Sequence, residues 1–272
     1  MTVNKIYQTK HELWLSINFA SFAITDEEIK SRLYDFSQIA FRHMKWIGND
    51  ILEAGDDYNY DRKMTLYKRD TVFEIIEALV SEVQNAQTIY GDSITFDRVK
   101  TDDIYLLEYL AEVLLHNDNN KEITAFNMKR EWLDKGLAQD QIDALTFFLF
   151  DESYKEYELI LIYAYMQART KDITRFNVYQ DLIDESHFHL KSFENMMAKL
   201  GILALPRELH EMTYIVKDLN QFVIDGIAEE EAAKIMCKEL SDAITDEDLS
   251  KFFDFINYQE NYHIELMKKL LK

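Results

Sequence analysis

Residues 252–267 read FFDFINYQENYHIELM, and this stretch decides the fold. An apolar stripe runs through it at alternating spacings of three and four, formed by Leu249, Phe253, Ile256, Glu260, His263, Met267 and Leu270. That spacing is typical of one face of an α-helix. Glu260 and His263 interrupt the stripe, and a buried carboxylate or imidazole needs a hydrogen-bond partner or a metal ion. The stretch therefore predicts a core helix that carries either a paired histidine or a metal-ligand motif.

The composition limits the classes of protein to be considered. There are 50 acidic and 30 basic residues, and the net charge of −20 argues against nucleic acid or an anionic membrane as the main partner. Cys237 is the only cysteine, which excludes an intrachain disulfide and fits a reducing, cytoplasmic setting. The longest apolar run, residues 159–166, is too short to span a bilayer, and the N-terminus has no apolar signal-peptide region. We expect a cytoplasmic protein.

Six glycines and one proline in 272 residues predict an all-α fold, because strand-rich folds need more turn residues. The periodic segments predict long helices at 5–23, 26–54, 68–90, 95–117, 140–170, 172–200, 207–243 (with a break near Asp218) and 246–271, and a short connecting helix before 140. Gly55, Gly91 and Gly201 are expected to end helices in the left-handed conformation. Eight long helices predict two four-helix domains, residues 1–118 and 140–272, joined by a connecting segment, residues 119–139.

An internal repeat relates the two predicted domains. Glu12 and Glu158, His43 and His189, and Gly55 and Gly201 are each separated by the same 146 residues. A constant offset indicates tandem duplication of a four-helix unit. Few acids and histidines of the C-terminal copy have counterparts in the N-terminal copy, so we expect the latter to be degenerate, with His43 hydrogen bonded to Glu12.

The repeat also provides partners for Glu260 and His263. In the helix predicted at 172–200, Glu185 and His189 are four residues apart and interrupt an apolar stripe, whereas His187 falls on the polar face and is expected to be exposed. In the last helix but one, predicted at 207–243, Glu230 alone interrupts the inward stripe. Each of these helices can therefore contribute an inward acid.

The helix predicted at 140–170 has two acids that can face inward. Glu156 precedes His189 by 33 residues, as Glu230 precedes His263, which favours Glu156. Glu158 is favoured instead by its repeat relation to Glu12. Both alternatives stay open at this stage.

A single Glu on each of two helices, with a Glu and a His on each of the other two, resembles the four-Glu, two-His site of the ferritin-like superfamily, which includes bacterioferritin and rubrerythrin. The segment FRHMKW, residues 41–46, is similar to the histidine segment of the second helix in that family. The resemblance implies two four-helix bundles in tandem, the N-terminal one degenerate. It implies a dinuclear site for iron or manganese, with these ligands: Glu156 or Glu158, Glu185, His189, Glu230, Glu260 and His263.

One position departs from the family pattern. Ser186 stands three residues before His189, where the family has Glu, so Glu185 is one residue out of register. Four-residue spacing still puts Glu185 and His189 on one helix face. Whether Glu185 completes the site therefore depends on the packing of its helix.

The resemblance implies an oxidoreductase, similar to a ferroxidase or a peroxidase. Its expected ligands are metal ions and a small oxidant, oxygen or peroxide. A homodimer is one candidate assembly, and neither nucleic acid nor a membrane is an expected partner. The alternative is a non-catalytic helical interaction or scaffold protein whose buried acids and histidines are a vestigial site. Bound metal distinguishes the two classes.

Overall fold

The computed structural model describes residues 3–63, 69–116 and 121–271. The described residues are all-α and contain no strand, only an isolated antiparallel bridge between Thr71 and Glu122. Their helices are α1 (Val3–Ala23), α2 (Glu27–Glu53), α3 (Val72–Gln87), α4 (Ile94–His116), α5 (Gln139–Arg169), α6 (Ile173–Lys199), α7 (Glu211–Tyr214), α8 (Leu219–Ala243) and α9 (Glu247–Leu270).

The eight long helices agree with the sequence prediction to within a few residues at most ends. The predicted break near Asp218 is confirmed, because Asp218 caps the N-terminus of α8 and the short helix α7 precedes it. The predicted connecting helix is wrong for residues 121–138, which contain turns and extended chain. Gly55 and Gly201 have positive φ angles of 86° and 80°, whereas Gly91 does not, because α3 ends four residues earlier in an ordinary right-handed turn at Thr88.

The chain divides into two compact units. The N-terminal unit comprises Met1–Met128 and Gly201–Glu211, and the C-terminal unit comprises Lys129–Leu200 and Met212–Lys272. The segment 201–211 therefore groups with the N-terminal unit, although it lies within the stretch 140–272 that the sequence assigned to the second domain.

In the C-terminal unit, four long helices pack in a closed cycle: α5 contacts α6, α6 contacts α9, α9 contacts α8, and α8 contacts α5. The edge-to-face rings of Phe148, Phe193 and Phe253 join α5, α6 and α9. Asp172 caps α6 by accepting hydrogen bonds from the backbone N–H groups of Thr174 and Arg175, which satisfies two donors at the helix start. Every helix of the cycle therefore presents one face to a common core.

In the N-terminal unit, α1 contacts α2 and α3, and α4 contacts α2 and α3. Asp26 caps α2 by accepting from the N–H groups of Glu28 and Ile29. Trp14 is fully buried and its ring lies 4.9 Å from the ring of Phe41, which joins α1 to α2. None of the helices among the described residues is long and apolar enough to cross a membrane.

Candidate metal centre

Six ionisable side chains from all four long helices of the C-terminal unit converge in its core. They are Glu156 of α5, Glu185 and His189 of α6, Glu230 of α8, and Glu260 and His263 of α9. Glu156, His189, Glu260 and His263 are buried, and Glu185 is the most exposed, with 28% of its side chain accessible. Each was predicted from an interruption of an apolar stripe, and the packing brings these six together.

Glu156, rather than Glu158, is the α5 carboxylate at the centre. Glu156 Oε1 accepts a hydrogen bond from His189 Nδ1 at 2.8 Å. Glu158 is half-buried and lies two residues further along, about 200° around the helix, so it cannot share this face. The spacing of 33 residues was therefore a better guide to the position on α5 than the repeat alignment.

His263 lies between two groups of carboxylates. Its Nδ1 is 2.9 Å from Glu260 Oε2 and 3.7 Å from Glu230 Oε1, and its Nε2 is 3.7 Å from Glu185 Oε2. The His189 and His263 ring centroids are 5.0 Å apart. Glu185 thus reaches the centre in spite of the shifted register, because an i,i+4 pair still lies on one face of α6.

Two sets of side chains can hold a metal ion. Glu185, His189 and His263 form one set, and Glu230, Glu260 and His263 form the other; in each, the ligand atoms lie within 4.8 Å of one another. Carboxylates with imidazole suit iron, manganese and zinc. Because His263 belongs to both sets, two ions would have to divide the ligands, with His189 serving one ion and His263 the other.

Two ligand atoms in this core, Glu156 Oε2 and His263 Nε2, are buried without a well-formed hydrogen bond. The nearby hydroxyl of Tyr163 is a third such atom, whereas Glu260 Oε2 is paired with His263 Nδ1 at 2.9 Å. Buried polar atoms are nearly always hydrogen bonded, because desolvation without a partner costs about 1–3 kcal/mol for each. Cations between these atoms would satisfy them, so the residues fit a metal ion.

Protons carry the positive charge of the centre in the absence of metal. Burial opposes protonation of His263, but the carboxylates of Glu185, Glu230 and Glu260 together raise its pKa to about 12. Burial, and then the neighbouring Glu230 carboxylate, raise the pKa of Glu260 to about 8. Burial also opposes protonation of His189, yet Glu156 raises its pKa. Metal binding would therefore displace protons from the imidazoles and from Glu260.

Gln259 also contacts the centre, and sequence reasoning did not identify it. Its Oε1 accepts from His189 Nε2 at 3.3 Å, and its Nε2 donates to Glu185 Oε2 at 3.1 Å. Hydrogen bonds of this kind orient metal ligands. The sequence offered one signal, because Gln259 immediately precedes Glu260 in the motif that decides the fold.

Glu152 is a second residue that sequence reasoning did not assign to the centre. It lies one turn before Glu156 on α5, is buried, and accepts a hydrogen bond from Lys155 at 2.6 Å. Burial raises the pKa of Glu152, the nearby Lys155 partly offsets this rise, and the resulting pKa is about 7. Its place on the same stripe as Glu156 was the available signal.

The expectation that His187 is exposed is wrong. His187 is buried, with 5% of its surface accessible, and Glu194, further along the same face of α6, is fully buried. α6 buries two stripes, one containing His189 and one containing Ile183, His187, Leu190 and Glu194. Its buried face is therefore wider than the single apolar stripe indicated, because tertiary packing covers more of the helix than its core-facing side.

In the N-terminal unit, His43 has a different partner from the one expected. His43 Nε2 donates to Asp102 Oδ2 of α4 at 2.9 Å, whereas Glu12 accepts from the backbone N–H of Lys63 at 2.7 Å. Burial, and then the charge of Lys10, lower the pKa of His43 to about 4, so it is neutral at pH 7. His43 is thus a core histidine in a network with α4.

Comparisons of the chain with protein-family models, with curated proteins and with solved structures found no match.

Proposed function

We propose that the C-terminal unit is a ferritin-like four-helix bundle that binds two iron or manganese ions, and that the N-terminal unit is a copy of this bundle without metal. The closed cycle of α5, α6, α9 and α8 supports the bundle. One observation supports bound metal: four carboxylates and two imidazoles from four helices meet in the core, and two of their buried ligand atoms have no well-formed hydrogen bond.

The charge of the core supports cations over an ordinary polar network. Buried carboxylates are costly unless they are paired with positive charge. Without metal, His263 and Glu260 remain compatible with burial only through raised pKa values, about 12 and about 8. Two divalent cations would neutralise the carboxylates in the same way. They would also bind the buried ligand atoms that have no well-formed hydrogen bond in the protonated centre.

The ligands divide between two ions as follows. Glu185 and His189 would hold one ion, and Glu230, Glu260 and His263 would hold the other. Glu156 now accepts a hydrogen bond from His189, and loss of the His189 proton on metal binding would free this carboxylate to join the centre.

We propose that the protein is an oxidoreductase that uses oxygen or peroxide, or oxidises Fe(II). Bound iron or manganese would supply the Lewis acidity and the redox change. The chain would contribute orientation and access: Gln259 is hydrogen bonded to His189 and Glu185, and Glu185 is the most exposed of the candidate ligands. The four carboxylates would balance the charge of the ions in either redox state.

The rate of Fe(II) oxidation, or of peroxide consumption, by metal-loaded protein tests this proposal. Glu230 and Glu229 are adjacent on α8, but only Glu230 faces His263. We expect Glu230→Gln to lower the rate by about tenfold or more, and Glu229→Gln to leave it unchanged, because loss of a ligand or of its support costs 10–100-fold. A wild-type protein that binds metal but equals buffer in both assays would contradict the proposed chemistry and would leave the scaffold function.

A further inference from the structure

The N-terminal unit contains a fully buried lysine at the centre of its polar network. Lys10 of α1 has no accessible surface, and its Nζ lies 2.9 Å and 3.0 Å from the two carboxylate oxygens of Asp103 on α4. The Tyr90 hydroxyl also donates to Asp103, at 2.5 Å. Burial disfavours a charged ammonium, so a lysine in such a place requires a close anion. Asp103 is that anion.

Lys10 occupies the sequence position that Glu156 has in the C-terminal unit. Lys10 precedes Glu156 by 146 residues, the same offset that separates His43 from His189. His43 lies beside the same network, with its Nδ1 4.0 Å from Asp103 and its Nε2 bonded to Asp102. The two units therefore have a histidine on the second helix in common and differ in the charge that the first helix presents.

The fourth helices can be aligned in the same way, by their buried residues. An offset of 157 residues pairs the buried residues Phe96, Val99, Asp103, Leu106, Leu110 and Val113 of α4 with the buried residues Phe253, Ile256, Glu260, His263, Met267 and Leu270 of α9. Asp103 then corresponds to Glu260, and Leu106 replaces His263. A carboxylate is retained while one metal-ligating imidazole is lost.

The third helix completes the comparison. Glu82 of α3 is half-buried, as Glu230 is, but its neighbours are Ser16, Arg69 and Glu12. The carboxylates beside Lys10 are Asp103 and Asp102, and Asp102 is neutralised separately by Arg98 at 2.9 Å. A single ammonium matches the remaining charge of Asp103, whereas the C-terminal core has carboxylates for two divalent ions.

We propose that the Lys10 ammonium is the built-in cation of the N-terminal unit, in the place of a metal ion, and that Lys10 restricts metal binding to the C-terminal unit. This proposal rests on the proposed function in one respect, namely that the C-terminal unit is the one that binds metal. The ammonium satisfies Asp103 by direct hydrogen bonds, so this core is complete without metal. Lys10 is accordingly the residue that determines which of the two units is open to a metal ion.

The test counts Mn²⁺ bound per chain, by electron paramagnetic resonance of the free ion, in a background that lacks the C-terminal site (His263→Ala with Glu230→Gln). In this background we expect no bound Mn²⁺ with Lys10 present. Lys10→Glu should add one Mn²⁺ per chain and should make the thermal unfolding midpoint rise when Mn²⁺ is added. Lys10→Met, which keeps the apolar stem without the charge, should do neither.

Three results would overturn the proposal: Mn²⁺ bound by the background chain with Lys10 intact, no additional Mn²⁺ in Lys10→Glu, or failure of Lys10→Glu to fold with Mn²⁺ when Lys10→Met folds. Failure of the proposed function would give a different result, because the wild-type chain would then bind no metal. Lys10→Glu would still gain a Mn²⁺ ion if the Lys10 ammonium is the built-in cation.

Discussion

At the scale of single residues, the centre depends on which of several neighbouring polar side chains faces inward. On α6, His187 and His189 are both buried, but only His189 contacts Glu156 and Gln259. Burial alone therefore does not identify a candidate ligand. The contacts of the imidazole nitrogens distinguish His189 as the candidate.

We expect His189→Gln to weaken Mn²⁺ binding by about tenfold or more, because it removes a ligand and the orienting contacts of Glu156 and Gln259. His187→Gln is the matched control, since it changes a buried histidine of the same helix that belongs to neither metal-capable set. Titration with Mn²⁺ measures both affinities. Equal losses in the two variants would show that the effect comes from packing of α6 and not from a ligand.

Gln259 permits a test of orientation without removal of a ligand. Gln259→Ala deletes the hydrogen bonds to His189 and Glu185, so we expect a 10–100-fold loss of metal affinity with the number of ions per chain unchanged. Isothermal titration with Mn²⁺ gives both quantities. Asn261→Ala changes an exposed residue of α9 and should leave the affinity and the number of ions as in the wild type. If Gln259→Ala binds Mn²⁺ as tightly as this control, Gln259 does not orient the ligands.

At the scale of helices, periodicity predicted the elements because each long helix buries an apolar stripe. The stripe of α9 also predicted that Glu260 and His263 face inward, and the stripes of α5, α6 and α8 predicted the other acids and the histidine that meet them in the core. What periodicity could not predict was the second buried stripe of α6, which contains His187 and Glu194. Its residues are polar as well as apolar, so their burial depends on tertiary packing and leaves no apolar pattern in the sequence.

Partner choice across helices was also beyond the sequence. His43 was expected to bond to Glu12, but α4 brings Asp102 to it instead, and Lys10 pairs with Asp103 from a position 93 residues away. The pairing of α1 and α2 with α4 has no local signal. Gln259 was missed for the same reason, since its partners are both on α6.

The cap of α6 supplies a test at this scale. Asp172 accepts from two backbone N–H groups, so Asp172→Ala should lower the free energy of unfolding by about 1 kcal/mol. Asp181→Ala, an exposed acid in the same helix, should change it by less than about 0.5 kcal/mol. Urea unfolding measures both. A larger effect for Asp181 than for Asp172 would contradict the capping account.

At the scale of the whole molecule, the units differ in how their buried charge responds to pH. In the N-terminal unit, burial and then the charge of Arg62 lower the pKa of His11 to about 3. The unfolded chain binds a proton at this histidine below about pH 6.5, whereas the folded chain does not until about pH 3. Folding stability contributed by His11 is therefore present above pH 6.5 and is lost as the pH falls from 6.5 towards 3.

We expect His11→Gln, which cannot be protonated, to reduce the slope of unfolding free energy against pH between pH 4 and 6 by about 1 kcal/mol per pH unit. His210→Gln, at an exposed histidine of the same unit, should keep the wild-type slope. Chemical unfolding at a series of pH values gives the slopes. An unchanged slope in His11→Gln would show that His11 is protonated in the folded protein.

The number of metal ions in purified protein tests the central claim most directly. Elemental analysis after expression with added iron and manganese should give about two ions per chain in the wild type and fewer in His263→Ala, because His263 belongs to both metal-capable sets. Less than about 0.1 ion per wild-type chain would contradict the account, since a buried site of this ligand number should retain its metal through purification.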